Sequence, residues 1–64
     1  MTIKELKCGE YFTLKPIAEP TEKQVFVRGY YDRSEKRYVA TRFDNIAMSR
    51  LLKPDTLVYI DFTF

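Results

Sequence analysis

The sequence predicts an all-β fold: a small barrel of five short strands that forms one domain over residues 1–64. Three observations support this prediction. Turn-forming residues divide the chain into short intervals, which suit strands better than helices. Residues 24–31 alternate between two sets of side chains, as a strand does. Residues 57–64 are almost entirely β-branched or aromatic and contain neither Gly nor Pro, so we expect them to pair in a sheet.

The five strands are expected at 11–15, 24–31, 37–43, 48–53 and 57–64. Residues 3–7 fit either one short helical turn or an extended arm. Gly9 marks a tight turn before the first strand, and residues 16–23, which include two prolines, are expected to form an exposed loop. Pro54 fits the second position of a type I turn before the last strand.

The second and third strands are expected to form a hairpin. One face of the second strand is expected to carry Phe26, Arg28 and Tyr30. A two-residue turn at 34–35 would place Tyr31 opposite Tyr38 and Gly29 opposite Ala40. Two small residues that face each other suit a strongly coiled sheet.

Residues 44–53 allow two interpretations. Asn45 fits the N-cap of a short helix that would end before Pro54. Alternatively, 44–47 is a turn and 48–53 is a strand, and we favour the strand. In the final strand, the side chains expected to point inward are Val58, Ile60, Phe62 and Phe64.

The composition restricts the chemistry available to this chain. It contains no histidine and a single cysteine, Cys8, so we expect no internal disulfide, no zinc site and no histidine-based catalysis. The two glycines, Gly9 and Gly29, are too far apart to form a phosphate-binding glycine loop. The sequence therefore predicts no enzymatic activity, no cofactor and no metal.

Hydropathy and charge suggest a cytoplasmic protein. No apolar run approaches the roughly 18 residues that a membrane-spanning helix needs, and the N-terminal residues do not resemble a signal peptide. The net charge is +2, from 11 basic and 9 acidic side chains. A mildly basic balance permits contact with nucleic acid without requiring it.

The candidate binding surface is the face that carries Phe26, Arg28 and Tyr30. Aromatic rings on an exposed sheet stack on nucleic-acid bases, and arginines pair with phosphates. The hairpin tip is expected to extend the positive surface through Arg33, Lys36 and Arg37. Arg42 joins this face only if the strand register slips by one residue. The sequence therefore predicts an accessory module that binds single-stranded nucleic acid.

Two alternatives remain open. In the first, Phe26 and Tyr30 pack beneath the loop at 16–23, and the face is closed. In the second, the domain is a protein-interaction or assembly module, a class that includes inhibitors of a host protein. An open edge on the terminal strand would join two copies, whereas Asp61 within that strand would act against such pairing. A monomer is favoured, because the aromatic content and the turns already supply a core.

Several segments resemble a known class of proteins. They are the opening Leu6-Lys7-Cys8-Gly9-Glu10-Tyr11-Phe12, the strand and loop at 25–36, Tyr38, the segment 53–60, and the tail Tyr59-Ile60-Asp61-Phe62-Thr63-Phe64. Together they resemble small uncharacterised SH3-like barrel proteins encoded by phages and mobile elements of gut bacteria. The resemblance implies an SH3-like five-stranded barrel and a phage or mobile-element origin. It implies no activity and no catalytic residue.

Overall fold

The computed structural model describes residues 1–63 and confirms an all-β fold, with four antiparallel strands in one open sheet. The strands follow one another in chain order as β1 (Tyr11–Phe12), β2 (Phe26–Asp32), β3 (Arg37–Arg42) and β4 (Asn45–Leu52). Two 3₁₀ turns, Ile3–Glu5 and Glu22–Gln24, provide the helical structure of the described residues. No helix within residues 1–63 is long and apolar enough to cross a membrane.

The predicted turn at Gly9 is confirmed, and it fixes β2 in place. Gly9 has a φ of +94°, in the left-handed region that glycine adopts without strain. The turn closes through the Glu10 N–H, which donates to the Lys7 carbonyl at 3.1 Å. The Gly9 N–H donates to the Arg28 carbonyl at 2.8 Å, and the Arg28 N–H donates to the Glu10 carbonyl at 2.9 Å. The turn therefore holds Arg28 by both of its backbone polar groups.

The hairpin of β2 and β3 matches the prediction at its tip and departs from it further along. Tyr31 lies opposite Tyr38, as expected. The predicted pairing of Gly29 with Ala40 is wrong, because the register shifts between Arg28 and Tyr31, and Arg28 lies opposite Ala40. Such a shift is a β-bulge, which places one extra residue on one strand of the pair.

Close contact at Gly29 accounts for the position of this bulge. A Cβ atom on Gly29 would lie 3.2 Å from both the Cβ and the carbonyl oxygen of Val39. Only a residue without a side chain lets the two backbones approach this closely without strain. The predicted two-residue turn at 34–35 is also replaced by a four-residue turn at 33–36, where Lys36 has a φ of +56°.

Residues 45–52 form a strand, so the strand interpretation is confirmed over the helix. The strand begins earlier than predicted, because the turn from β3 occupies only Phe43 and Asp44. A second irregularity separates the pairs Thr41–Ser49 and Arg42–Asn45, so that 46–48 bulge from β3. β4 is exposed along almost its whole length and forms one edge of the sheet.

The core lies between the sheet and the two ends of the chain. Its buried members are Ile3, Leu6, Phe12, Ala40 and Val58, each at most 4% exposed. The Ile3 N–H donates to the Thr56 carbonyl at 3.0 Å, and the Val58 N–H donates to the Met1 carbonyl at 2.9 Å. The turn at 53–56 is confirmed by a hydrogen bond of 3.0 Å from the Thr56 N–H to the Lys53 carbonyl.

The terminal segment forms two isolated bridges, Leu57 with Thr2 and Tyr59 with Thr13, rather than one continuous strand within 57–63. Val58 is buried as predicted, but the inward placement of Ile60 is wrong, since that side chain is 43% exposed. The last β-bridge of this segment is at Tyr59, so no strand pairing maintains the alternation of inward and outward side chains beyond that residue. Phe64 lies outside the described residues.

The first strand and the loop that follows it also differ from the prediction. β1 covers only two residues, although Thr13 extends it through its bridge to Tyr59. The loop at 16–23 is exposed at most positions as expected, but Pro20 is buried. The Thr63 N–H donates to the Ala18 carbonyl at 2.9 Å, so the loop is tied to the end of the chain.

Candidate functional site

The bulge at Gly29 changes which side chains share the candidate face. Directly opposed residues in an antiparallel pair project to the same side of the sheet. Arg28 and Tyr31 therefore share one side, because they oppose Ala40 and Tyr38 on β3. The expectation that Tyr30 shares the face of Phe26 and Arg28 is wrong. Tyr30 precedes Tyr31 within the register shift, where the ladder has no paired residue for it, and it is 66% exposed.

The same register shift brings three arginines onto one face. Arg42 lies opposite Phe26, which fulfils the condition under which Arg42 joins the face. Arg28 and Arg50 lie on either side of Ala40, in β2 and β4. Neighbouring strands place opposed residues about 5 Å apart, so the α-carbons of Arg28 and Arg50 are separated by about 10 Å.

We call this surface the arginine face. Its members are Phe26, Arg28, Tyr31, Tyr38, Ala40, Arg42, Arg50 and Leu52. Ala40 at its centre is buried in the core, and Phe26, Tyr38 and Leu52 pack against that core, so the face is accessible only around this buried centre. Sequence reasoning did not include Arg50, because it lies in the segment that also fits a helix. A glycine inside a strand often marks a bulge, so Gly29 was the available signal for the register shift that brings in Arg42.

Arg28 makes two contacts that hold its side chain on this face. Its guanidinium carbon lies 4.2 Å from the centroid of the Tyr38 ring, and its Nη1 donates to the Gly29 carbonyl at 2.8 Å. The Tyr38 ring also contacts the Tyr31 ring, with the two ring centroids 4.9 Å apart and an angle of 59° between the ring planes. Stacking of this kind orients a guanidinium and leaves its positive charge in place.

Arg42 is partly neutralised by a neighbouring carboxylate. Its Nη2 donates to the Asp44 Oδ2 at 3.1 Å, and the two side chains are 29% and 19% exposed. The Nε atoms of Arg28 and Arg42 are buried and have no hydrogen-bond partner among residues 1–63. Because these two atoms are buried, an anion in solution would reach either arginine through its terminal nitrogens.

A cleft of about 290 Å³ opens at the Phe26 end of the arginine face. We call it the basic cleft, and it is lined by Lys23, Phe26, Arg42, Met48, Ser49 and Arg50. Phe26 is half-buried, because its ring stacks on the core residue Phe12 at a centroid distance of 5.7 Å. Phe26 also borders a smaller cleft beside Leu14 and Ile17. The cleft combines an aromatic wall with three cationic side chains.

The residues predicted at the hairpin tip lie away from this cleft. Arg33 and Lys36 belong to the turn at 33–36, and Arg37 opposes Asp32 at the far end of β2 from Phe26. The tip is ordered by Asp32, whose Oδ1 accepts hydrogen bonds from the Ser34 hydroxyl at 2.7 Å and the Ser34 N–H at 3.0 Å. The Ser34 hydroxyl and then the Glu35 N–H hold the pKa of Asp32 below its usual value of 3.8.

Charge is unevenly distributed between the sheet and the rest of the chain. Residues 24–53 carry seven of the eleven basic side chains and three of the nine acidic ones. The remaining residues carry four basic and six acidic side chains. The net charge of +2 therefore conceals an excess of positive charge on β2, β3 and β4, and such an excess attracts polyanions.

The opposite face of the sheet carries exposed apolar side chains, and we call it the apolar face. It includes the edge-to-face pair of Tyr11 and Phe43, with ring centroids 5.4 Å apart, and both residues are more than one third exposed. Leu51 opposes Val39 on the same side and is 37% exposed. Exposed apolar side chains grouped in this way are typical of protein contacts.

Among residues 1–63, no group of three or more Cys, Asp or Glu side chains is placed to hold a metal ion. In comparisons with protein families, curated proteins and solved structures, nothing matches this chain. The function of the site therefore has to be inferred from the geometry and charge of its own residues.

Proposed function

We propose that this protein is a non-enzymatic module that binds single-stranded nucleic acid through the arginine face, as an accessory protein in the cytoplasm. One observation carries the proposal: Arg28, Arg42 and Arg50 share a sheet face with the rings of Phe26 and Tyr38. Aromatic rings stack on bases regardless of sequence, and cations beside them bind the phosphates. The face offers few side chains that hydrogen-bond to base edges, so we expect weak sequence selectivity.

Titration of a labelled oligonucleotide of about 20 nucleotides tests this function by fluorescence anisotropy at low salt. We expect half-saturation between about 1 and 100 µM, the range of sequence-independent binding. Three phosphate contacts predict that the logarithm of the binding constant falls with the logarithm of salt concentration with a slope of about −2. An unchanged anisotropy at about 100 µM protein would contradict the proposal.

Two substitutions with the same charge change locate the binding surface. Arg50→Gln removes an exposed cation from the arginine face, while Arg33→Gln removes one from the hairpin tip. We expect Arg50→Gln to weaken binding and to reduce the salt slope by about one unit. The contribution of the tip residues Arg33, Lys36 and Arg37 remains a prediction, which Arg33→Gln measures. Equal losses from both substitutions would mean that general charge, and not the face, determines binding.

A second candidate function, assembly through β4, is favoured by a different observation. β4 is a sheet edge on which Ile46 is 87% and Met48 is 51% exposed, and Arg50 is its one charged residue. Antiparallel pairing with a second copy, centred on Met48, would place Arg50 opposite Ile46 and bring no like charges together. Light scattering decides between a monomer and such a dimer, and Ile46→Lys is expected to abolish the dimer if it forms.

The complete architecture that we propose is an SH3-like barrel with 57–59 as its fifth strand. The bridges of Leu57 with Thr2 and of Tyr59 with Thr13 support it, since they place this segment beside both N-terminal segments of the chain. Hydrogen bonds of 2.9 and 3.0 Å join Thr13 and Tyr59 in both directions. We expect the amides of Thr13 and Tyr59 to exchange their hydrogens as slowly as the amides of β2 and β3, as measured by hydrogen exchange.

A further inference from the structure

The basic cleft has the composition of a site for one nucleotide. Phe26 and Met48 provide apolar walls, and Lys23, Arg42 and Arg50 provide cations. Its volume of about 290 Å³ is just below the range for sites that enclose a whole small molecule, which suits a site that holds one part of a longer chain. A nucleotide joins a flat aromatic base to an anionic phosphate, which is the combination that these walls complement.

The Phe26 ring presents a supported stacking surface. The buried residue Phe12 stacks on it from the core, with an angle of 22° between the ring planes. Phe12 does not line the cleft, whereas Arg50 does, and the Arg50 guanidinium carbon lies 5.9 Å from the Phe26 centroid. The corresponding distance from Arg28 to Tyr38 is 4.2 Å, so Arg50 is not in direct stacking contact with its ring.

A small movement of the Arg50 guanidinium would make room for a base between it and the Phe26 ring. Stacked bases are separated by about 3.4 Å, so a base between a ring and a guanidinium requires a separation of about 7 Å. The Arg50 side chain is exposed, and its guanidinium carbon would have to move by only about 1 Å from its present distance of 5.9 Å to the Phe26 centroid. The thioether arm of Met48, 51% exposed, adapts readily to the edge of a base.

The cleft has an excess of positive charge. Asp44 pairs with Arg42 through Nη2, and the Nε of Arg42 is buried, so a phosphate would reach Arg42 through its Nη1. Lys23 projects from the 3₁₀ turn Glu22–Gln24 to the same cleft. One carboxylate therefore faces three cations, and the excess favours an anion such as a phosphodiester.

We propose that the basic cleft binds one nucleotide of a single strand, with the base between Phe26 and Arg50 and the adjacent phosphate at Lys23 and Arg42. This inference rests on the proposed function and adds the place where a base is held. Ser49 is the one uncharged hydrogen-bonding side chain that lines the cleft, so the site accepts any base. Arg28 remains a phosphate contact outside the cleft.

The test compares two probes of equal length, about ten nucleotides each: oligothymidylate and a chain with the same phosphates but no bases. The wild-type protein is expected to bind oligothymidylate roughly 5- to 150-fold more tightly, which is the contribution of one stacked base. Phe26→Leu and Met48→Ser are expected to bring this ratio towards one. Arg33→Gln, the matched control at the hairpin tip, is expected to leave the ratio unchanged.

The outcomes separate the two proposals. Equal binding of both probes by the wild-type protein overturns the cleft as a base site and leaves nucleic-acid binding intact. Absence of binding to either probe overturns the proposed function itself. Because Phe26 also packs against the core, thermal melting is used to check that the Phe26→Leu protein is folded. Met48→Ser changes an exposed residue and is expected to leave the fold intact.

A photochemical experiment on the wild-type protein needs no substitution. An oligonucleotide that contains 5-iodouracil forms a cross-link, under ultraviolet light, to a side chain on which the base stacks. Mass spectrometry of the digested product is expected to identify Phe26 or Met48. A cross-link confined to Tyr30 or Tyr11 would overturn the base site in the cleft.

Discussion

Arg28 is held partly by a turn on a different segment of the chain. The turn at Gly9 hydrogen-bonds to both the N–H and the carbonyl of Arg28, and the side chain then stacks on Tyr38. A residue on β2 is therefore fixed from both its backbone and its side chain. At the residue scale, these backbone and side-chain contacts give the Arg28 guanidinium a defined orientation.

Gly9→Ala is expected to lower the free energy of unfolding by about 1–2 kcal/mol, because a φ of +94° is strained for any residue with a Cβ. Urea denaturation measures the change. Cys8→Ala, one residue earlier and exposed, is the matched control and should stay within about 0.5 kcal/mol of wild type. Equal stability of Gly9→Ala and wild type would show that the turn does not hold this conformation in solution.

Asp32 predicts a pH dependence at the hairpin tip. The Ser34 hydroxyl, followed by the Glu35 N–H, lowers the pKa of Asp32 from 3.8, so the folded state favours the ionised carboxylate. The resulting stability is present above the unfolded pKa and is lost as pH falls through the lowered folded pKa.

We therefore expect Asp32→Asn to melt at a lower temperature than wild type at neutral pH. This difference should shrink as the pH is taken below 3.8, where the wild-type carboxylate begins to lose its charge. Melting curves recorded from about pH 7 to pH 2 give the comparison. A difference that grows on acidification would contradict the assignment.

At the element scale, the bulge in β2 determines the composition of the arginine face. A regular ladder would have paired Gly29 with Ala40 and Val27 with Arg42, and would have placed Phe26 and Arg28 on the other side of the sheet from Arg42. The shift between Arg28 and Tyr31 instead pairs Phe26 with Arg42 and excludes Tyr30. Because of one extra residue in β2, the face that carries Phe26 and Arg28 includes Arg42 and does not include Tyr30.

Gly29→Val is expected to destabilise the protein by about 1–3 kcal/mol, since its Cβ alone would lie 3.2 Å from Val39. Tyr30→Val, in the same bulge and at a residue that is 66% exposed, is the control and should change stability by less than about 0.5 kcal/mol. The free energies of unfolding in urea give both values. Equal effects of the two substitutions would contradict the close contact at Gly29.

The sequence pattern predicted the hairpin and its tip because alternation and turn residues are local signals. The pairing of Tyr31 with Tyr38 and the strand at 45–52 follow from such signals. The bulge depends on how closely two backbones approach, which spacing alone does not encode. For the same reason, Arg50 joins the site through cross-strand pairing that no single segment reveals.

At the scale of the whole molecule, the two ends of the chain complete a small core. Ile3 and Val58 are at most 1% exposed, and they cover the buried side chains of the sheet. The sequence predicted the importance of the terminal segment but extended its inward alternation too far, to Ile60. Two isolated bridges, rather than a long ladder, connect that segment to the rest.

Ile3→Ala is expected to cost about 2–5 kcal/mol, which is comparable with the whole stability of a domain of this size. We therefore expect this variant to be largely unfolded at room temperature, as measured by circular dichroism. Ile60→Ala makes the same chemical change at a residue that is 43% exposed and should remain folded. A folded Ile3→Ala protein would contradict the core described above.

The central claim is that the arginine face binds a single strand. Its most direct test is an NMR titration of the ¹⁵N-labelled protein with an oligonucleotide of about ten nucleotides, read out as amide chemical shifts. The largest shifts are predicted at Phe26, Arg28, Arg42 and Arg50, with small shifts on the opposite face at Leu51 and Val39. Shifts confined to the hairpin tip at 33–37 or to the apolar face, or no shifts at all, would contradict the claim.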